Sequence, residues 1–345
     1  MSALKSGGRL RAYMEFLAAI LYYFLFRSLA HQSAMLWVRG SWEPLAEQGI
    51  LLVLLLAGYT FMGRFISRES NPVAAQGLPL RAGWLHEARL GIALGWGMVL
   101  ACVLPLTLWG GIGVVLNLQA RAWMWWAVYL LFFAVAALAE EVAFRGYGFQ
   151  RLERVLGGFG AMLVFATFYA VMESVRPHAN MVSISVAALF AVVLSTTYLR
   201  SRALWMSWGI NFAWKAVRAL VFGLVVAGVG SYSPVVQGIP MGPRWLTGGG
   251  FGLEASWLAL IVMLAAIPVV FRLTRDLDFE HNAPVIEPGG IPVDLDAAAR
   301  QQHEVAMGPV AAPPQLVQIA GATAAVSPAE GPGRPDPGDA GAGSA

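Results

Sequence analysis

A single cysteine, Cys102, stands among 345 residues, so no disulfide can close within the chain and no cysteine-built zinc site is available. Charge is nearly as scarce. Asp, Glu, Lys and Arg make up 12% of the sequence, about half the usual share in a soluble domain. The net charge is only +3 and no basic stripe is present, which excludes nucleic acid as a partner. The five histidines, His31, His86, His178, His281 and His303, all fall outside the apolar runs. What fills the chain is apolar: 58% of residues are hydrophobic and the mean hydropathy is +0.62.

The apolar residues gather into runs near 12–30, 48–64, 90–116, 122–150, 158–175, 182–199, 203–229 and 252–271. Each approaches or exceeds the roughly 20 residues that cross a hydrocarbon core. Lipid offers backbone amides no partner, so such runs must be helical. The sequence therefore predicts an all-α polytopic membrane bundle of about eight transmembrane helices. Placing the N-terminus in the cytoplasm puts thirteen Lys and Arg in inner segments, from Lys5, Arg9 and Arg11 through Arg272 and Arg275. The outer loops then hold four, Arg39, Arg121, Arg176 and Arg244. This bias predicts both termini inside, in a bacterial inner membrane. The N-terminal KSGGRLRAYMEFLAAILYYFLFRSLA also reads as a signal peptide, but removing it would disturb the alternation of every later loop. Residues 1–275 form the membrane domain, and the Pro-, Gly- and Ala-rich stretch 276–345 reads as a disordered cytoplasmic tail.

Against this background the charges inside the runs stand out: Glu140, Glu141, Arg145, Glu173, Lys215 and Arg218. An ionised group at mid-bilayer costs about 2.5 kcal/mol or more and usually marks a functional interior. Glu141 and Arg145 are spaced i, i+4, with the acid on the favourable N-terminal side. Asn211, Lys215 and Arg218 also share one helix face. At 1.5 Å per residue, Glu140, Met172, Asn211 and Lys215 fall at similar depths, roughly 12–20 Å from the cytoplasmic face. The expectation is one interior chamber in which Lys215 and Arg145 neutralise Glu140 and Glu141. A structural tie between helices is the simpler alternative for any one of these groups. Glu173, beside the loop that begins at Arg176, reads as a solvated helix end.

The segment EEVAFRGY, residues 140–147, resembles the first motif, EExxFRGY, of the CPBP (CAAX protease and bacteriocin-processing, ABI) intramembrane metalloendopeptidases, which include the type II CAAX prenyl endopeptidases. YLRSRALWMSWGINFAWKA, residues 198–216, is similar to a second family segment, so the resemblance covers about residues 125–220. It implies peptide-bond hydrolysis, with a membrane or lipidated protein as substrate and membrane lipid as surroundings. Glu140, Glu141 and Arg145 match the family's catalytic positions. The family also implies histidines and a divalent metal such as zinc, whose bound water attacks while a carboxylate accepts the proton. Here Met172 and Asn211 stand where the family has His, and Lys215 where it has Asn. No metal site or other cofactor is therefore expected. Three readings stay open at this level: an endopeptidase working through a glutamate base, a non-catalytic pseudoprotease that binds or regulates in the membrane, and a proton-handling transporter.

Overall fold

The computed structural model describes residues 6–109, 111–228 and 230–282; residues 283–345 of the predicted tail lie outside them. In chain order the elements are α1 (Ser6–Trp37), α2 (Glu43–Phe61), the one-turn α3 (Pro72–Ala75), α4 (Trp84–Trp109), β1 (Ile112–Leu116), α5 (Ala120–Arg145), α6 (Tyr147–Ser174), α7 (Met181–Ser201) and α8 (Trp205–Ala216). They are followed by β2 (Val236–Pro240), the short α9 (Arg244–Thr247), α10 (Trp257–Leu273) and α11 (Arg275–Asn282). Five stretches are long and apolar enough to span a membrane: Gly7–Trp37, Gly40–Ile66, Trp84–Trp109, Ala120–Ser174 and Met181–Ser201. The fourth holds α5 and α6, with α6 itself broken by a kink at Gly157 (φ 76°), while α10 is a shorter apolar helix. The protein is an all-α membrane bundle.

Two of the predicted runs end early. The run 90–116 stops being helical at Trp109, and β1 then pairs antiparallel with β2, Ile112 opposite Pro240 and Leu116 opposite Val236. Ile112, Val114 and Val115 are β-branched and favour extended backbone. The run 203–229 continues as helix only through a wide π-turn, Val217–Val221, that follows α8. Beyond it the backbone turns to loop partners: Leu224 N–H donates to the Arg218 carbonyl (2.9 Å), Gly238 to Gly223 (3.1 Å) and Gly228 to Phe251 (2.9 Å). Residues 222–228 and 230–256 thus form an irregular cap on one end of the bundle. The predicted tail begins as helix: α11 covers its residues 276–282, and Asp278 pairs with Arg200 at 2.8 Å.

The core lies in two main regions. Met98, Cys102, Leu194, Ile210, Trp214 and Met263 pack α4, α7, α8 and α10 together. Tyr23, Leu55, Phe144, Phe149, Phe165 and Tyr198 join α1, α2, α5, α6 and α7. The tightest crossing is α4 on α8, where small residues face each other. Gly209 lies so close to α4 that a Cβ added there would come within 2.5 Å of the Ala88 carbonyl oxygen, and a Cβ on Gly91 would collide with the Met206 carbonyl. Close approach of this kind is how helices associate where lipid removes the hydrophobic drive between them.

Many of the arginines assigned to inner segments meet at one end of the bundle. Arg151 is fully buried and pairs with Glu69 and with Glu15 (3.5 Å), tying the start of α6 to α1 and to the turn after α2. Arg81 bridges Glu87 (2.6 Å) and the Ser201 carbonyl (2.7 Å), and Arg202 reaches Glu153 at 2.7 Å. The alternation of charge along the sequence therefore reappears as proximity in space.

Candidate functional site

α5 brings its acids in its last two turns and ends one residue before Gly146. A Cβ at position 146 would run into the Val142 carbonyl, so only glycine allows the sharp turn that starts α6 at Tyr147. The Phe-Arg-Gly-Tyr part of the motif thus fixes where α5 stops and aims Arg145 back along its own helix.

Glu141 and Arg145 are both completely buried and joined at 3.1 Å. Arg145 also donates to the Tyr169 hydroxyl of α6 (3.3 Å) and lies over that ring, 5.3 Å from its centre. From α8 the equally buried Asn211 donates its amide to Glu141 Oε1 (2.9 Å) and to Glu140 Oε2 (3.1 Å). Ionised carboxylates only accept, so the amide nitrogen is the atom that must face them. One turn further along α8, the Lys215 ammonium forms an ion pair with the same Glu140 oxygen. Two acids and two cations close into one cluster with no net charge. Such balance offsets much of the cost of taking charges out of water.

The cluster borders a cavity of about 320 Å³, lined among others by Glu140, Tyr169, Met172, Glu173, Lys215 and Arg218. The chamber is less closed than the sequence suggests: the side chains of Glu140 and Lys215 keep 32% and 19% of their surface accessible, whereas Glu141 and Arg145 keep none. α5 ends at Arg145 rather than near Arg151, so Glu140 lies about 8 Å from the end of its helix by the helical rise. Asn211 and Lys215, counted from the start of α8 at Trp205, sit about 9 and 15 Å in.

Glu173 departs from its expected solvated position. It is buried, pairs with Arg176 at 3.0 Å and faces the cavity, because the cap carrying Val226, Tyr232 and Glu254 folds over that end of α6. The cap also explains Arg218, which pairs with Glu254 at 2.5 Å and stacks on Trp214, whose indole N–H donates to the same carboxylate (3.3 Å). Glu254 carries no sequence signal, since it lies in a loop and gains its partners only through the long excursion after α8. Tyr169 was likewise hidden: a tyrosine in a span is ordinary until Arg145 is found above it.

Residues 122–217 match the family model described as Rce1-like, type II CAAX prenyl endopeptidase Rce1-like. This segment resembles the CAAX protease-like family. It comprises α5 to α8, the helices that carry the whole acid–base cluster. No curated protein and no solved structure matches the chain significantly.

For a CAAX protease-like domain the implied group is a divalent metal. The residues present do not fit one. A zinc site needs several carboxylate or imidazole lone pairs turned to one point, but here the Lys215 ammonium and the Asn211 amide already stand at the acids, and the buried Glu141 Oε2 is left as a lone unpartnered carboxylate oxygen, too few to hold an ion. Met172 offers a thioether, which suits softer metals. Among the described residues, no three His, Cys, Asp or Glu side chains gather closely enough to hold an ion.

Proposed function

We propose that this CAAX protease-like membrane protein is a pseudoprotease: it keeps the family's cavity and binds a membrane or lipidated protein chain without cleaving it. The observation that carries this reading is the Lys215 ammonium on Glu140, beside the Asn211 amide that bridges Glu140 and Glu141. A protonated amine already supplies the positive charge that the family would obtain from a metal, and it has no acidic water to deliver. Glu140, Glu141 and Arg145 then serve as a structural core of the cavity instead of a catalytic set. The arginines gathered at the end where α6 begins support an orientation with that end, and both termini, in the cytoplasm.

The test is metal analysis of the purified parent beside the triple variant Met172→His, Asn211→His, Lys215→Asn, each with an assay for cleavage of a lipidated peptide. The parent is expected to carry no stoichiometric metal and to leave the peptide intact. The triple variant should take up about one zinc per chain, since it regains two imidazoles beside the acids. Stoichiometric zinc in the parent, or cleavage by it, overturns the proposal. A folded triple variant that binds no zinc overturns the assignment of these three positions.

A further inference from the structure

The charged side chains lining the cavity do not balance. Four cations, Arg27, Arg176, Lys215 and Arg218, face it with three acids, Glu140, Glu173 and Glu254. Three pairs form one to one: Lys215 with Glu140, Arg176 with Glu173 at 3.0 Å, and Arg218 with Glu254 at 2.5 Å. Arg27 of α1 is left over. It donates to the Tyr23 hydroxyl (2.8 Å) and stacks on that ring, but among the described residues no carboxylate lies within ion-pair distance of it. A guanidinium has five N–H donors in a planar fork, and the tyrosine uses one. Beside it the cavity wall is apolar and aromatic, with Leu51, Phe132, Phe144 and Phe168.

A cavity with aromatic walls and one cation that Glu140 and Glu47 reach only through space, with no carboxylate in contact, favours a ligand with one anionic oxygen group on an apolar body. Arg27 is itself exposed, and α1 carries it about 32 Å from its start by the helical rise, so the anion would enter from the end of the bundle opposite the buried arginine Arg151.

We infer that the cavity holds a singly charged anionic lipid whose headgroup is bound by Arg27 and whose chain lies along the aromatic wall towards Lys215. This deepens the reading of the cavity as a non-catalytic binding site. It gives Arg27 a partner and names the ligand class as an acidic amphiphile.

The experiment uses the full-length protein in detergent, delipidated and then incubated with dioleoyl phosphatidylglycerol, with dioleoylglycerol, or with inorganic phosphate, and read by native mass spectrometry and thermal melting. One phosphatidylglycerol should be retained per chain, at least about tenfold more tightly than the neutral diacylglycerol, the scale of one charge-assisted hydrogen bond. Arg27→Gln should lose that preference, while Arg39→Gln, at an exposed loop arginine, should keep it. Equal retention of the charged and neutral lipids, or an unchanged Arg27→Gln, overturns the inference. Displacement of the lipid by inorganic phosphate alone shows an anion pocket without a chain site and overturns the lipid assignment. Every one of these readings leaves the zinc content of the triple variant untouched, so failure here is distinct from failure of the pseudoprotease reading.

Discussion

Arg145→Met should leave little folded protein. The substitution keeps the length and apolar stem of the side chain but removes the cation, so the completely buried Glu141 would face the interior with only the Asn211 amide beside it. Removing one partner of a buried pair costs about 3–5 kcal/mol, because the remaining charge is stranded. That is a large part of the total stability of a typical domain. The loss of the Tyr169 contact adds to it. Adding Glu141→Gln to Arg145→Met removes the stranded charge and should restore a substantial part of the folded yield. The measurement is monodisperse yield and melting in detergent. A single variant that melts within about 0.5 kcal/mol of the parent, the range of an ordinary surface change, would mean that the pair does not hold α5 in place.

The second large effect is expected at Gly209→Val. A side chain at this position has no flexible neighbour to displace, since the atoms nearest its Cβ are backbone of α4: the Ala88 carbonyl, the Ile92 nitrogen and Gly91. Overpacking costs about 1–3 kcal/mol even where side chains can adjust, and here whole helices must separate. α8 carries Asn211 and Lys215, two and six residues further on, so its displacement should also pull both residues away from the acids of α5. Gly97→Val is the matching control. It lies on the exposed face of α4 with open space around it and should melt close to the parent, apart from the weak helix preference of valine. Equal melting of the two variants would show that α4 and α8 are not in such close contact.

Much of this architecture was legible from elementary constraints. Long apolar runs must be helices in lipid, and five stretches long and apolar enough to span a membrane bear out the all-α bundle. The i, i+4 spacing of Glu141 and Arg145 correctly predicted their pairing, and the shared face of Asn211 and Lys215 correctly placed them opposite the acids. What the sequence concealed depends on irregular backbone. Helix length was overestimated wherever apolar composition continued past the helix: 112–116 is hydrophobic but largely β-branched and pairs as a strand, and 222–228 is hydrophobic but folds into the cap. A straight fourth helix placed Glu140 further from its helix end than it is, because the turn at Gly146 cannot be located by hydropathy. Glu173 was misjudged for the same reason: its burial comes from a cap 50 or more residues away in sequence, anchored by Glu254 on Arg218.

The most direct test of the central claim, that Lys215 supplies the positive charge at Glu140, is a double-mutant cycle in detergent with Lys215→Met, Glu140→Gln and their combination. Both groups border the cavity and keep some exposure, so the coupling should be smaller than for the Glu141–Arg145 pair. A value of about 1–2 kcal/mol is expected, with Lys215→Met destabilising and Glu140→Gln restoring much of the loss. Additive effects within about 0.5 kcal/mol would contradict the account, since two groups that do not sense each other's charge cannot form the ion pair on which it depends.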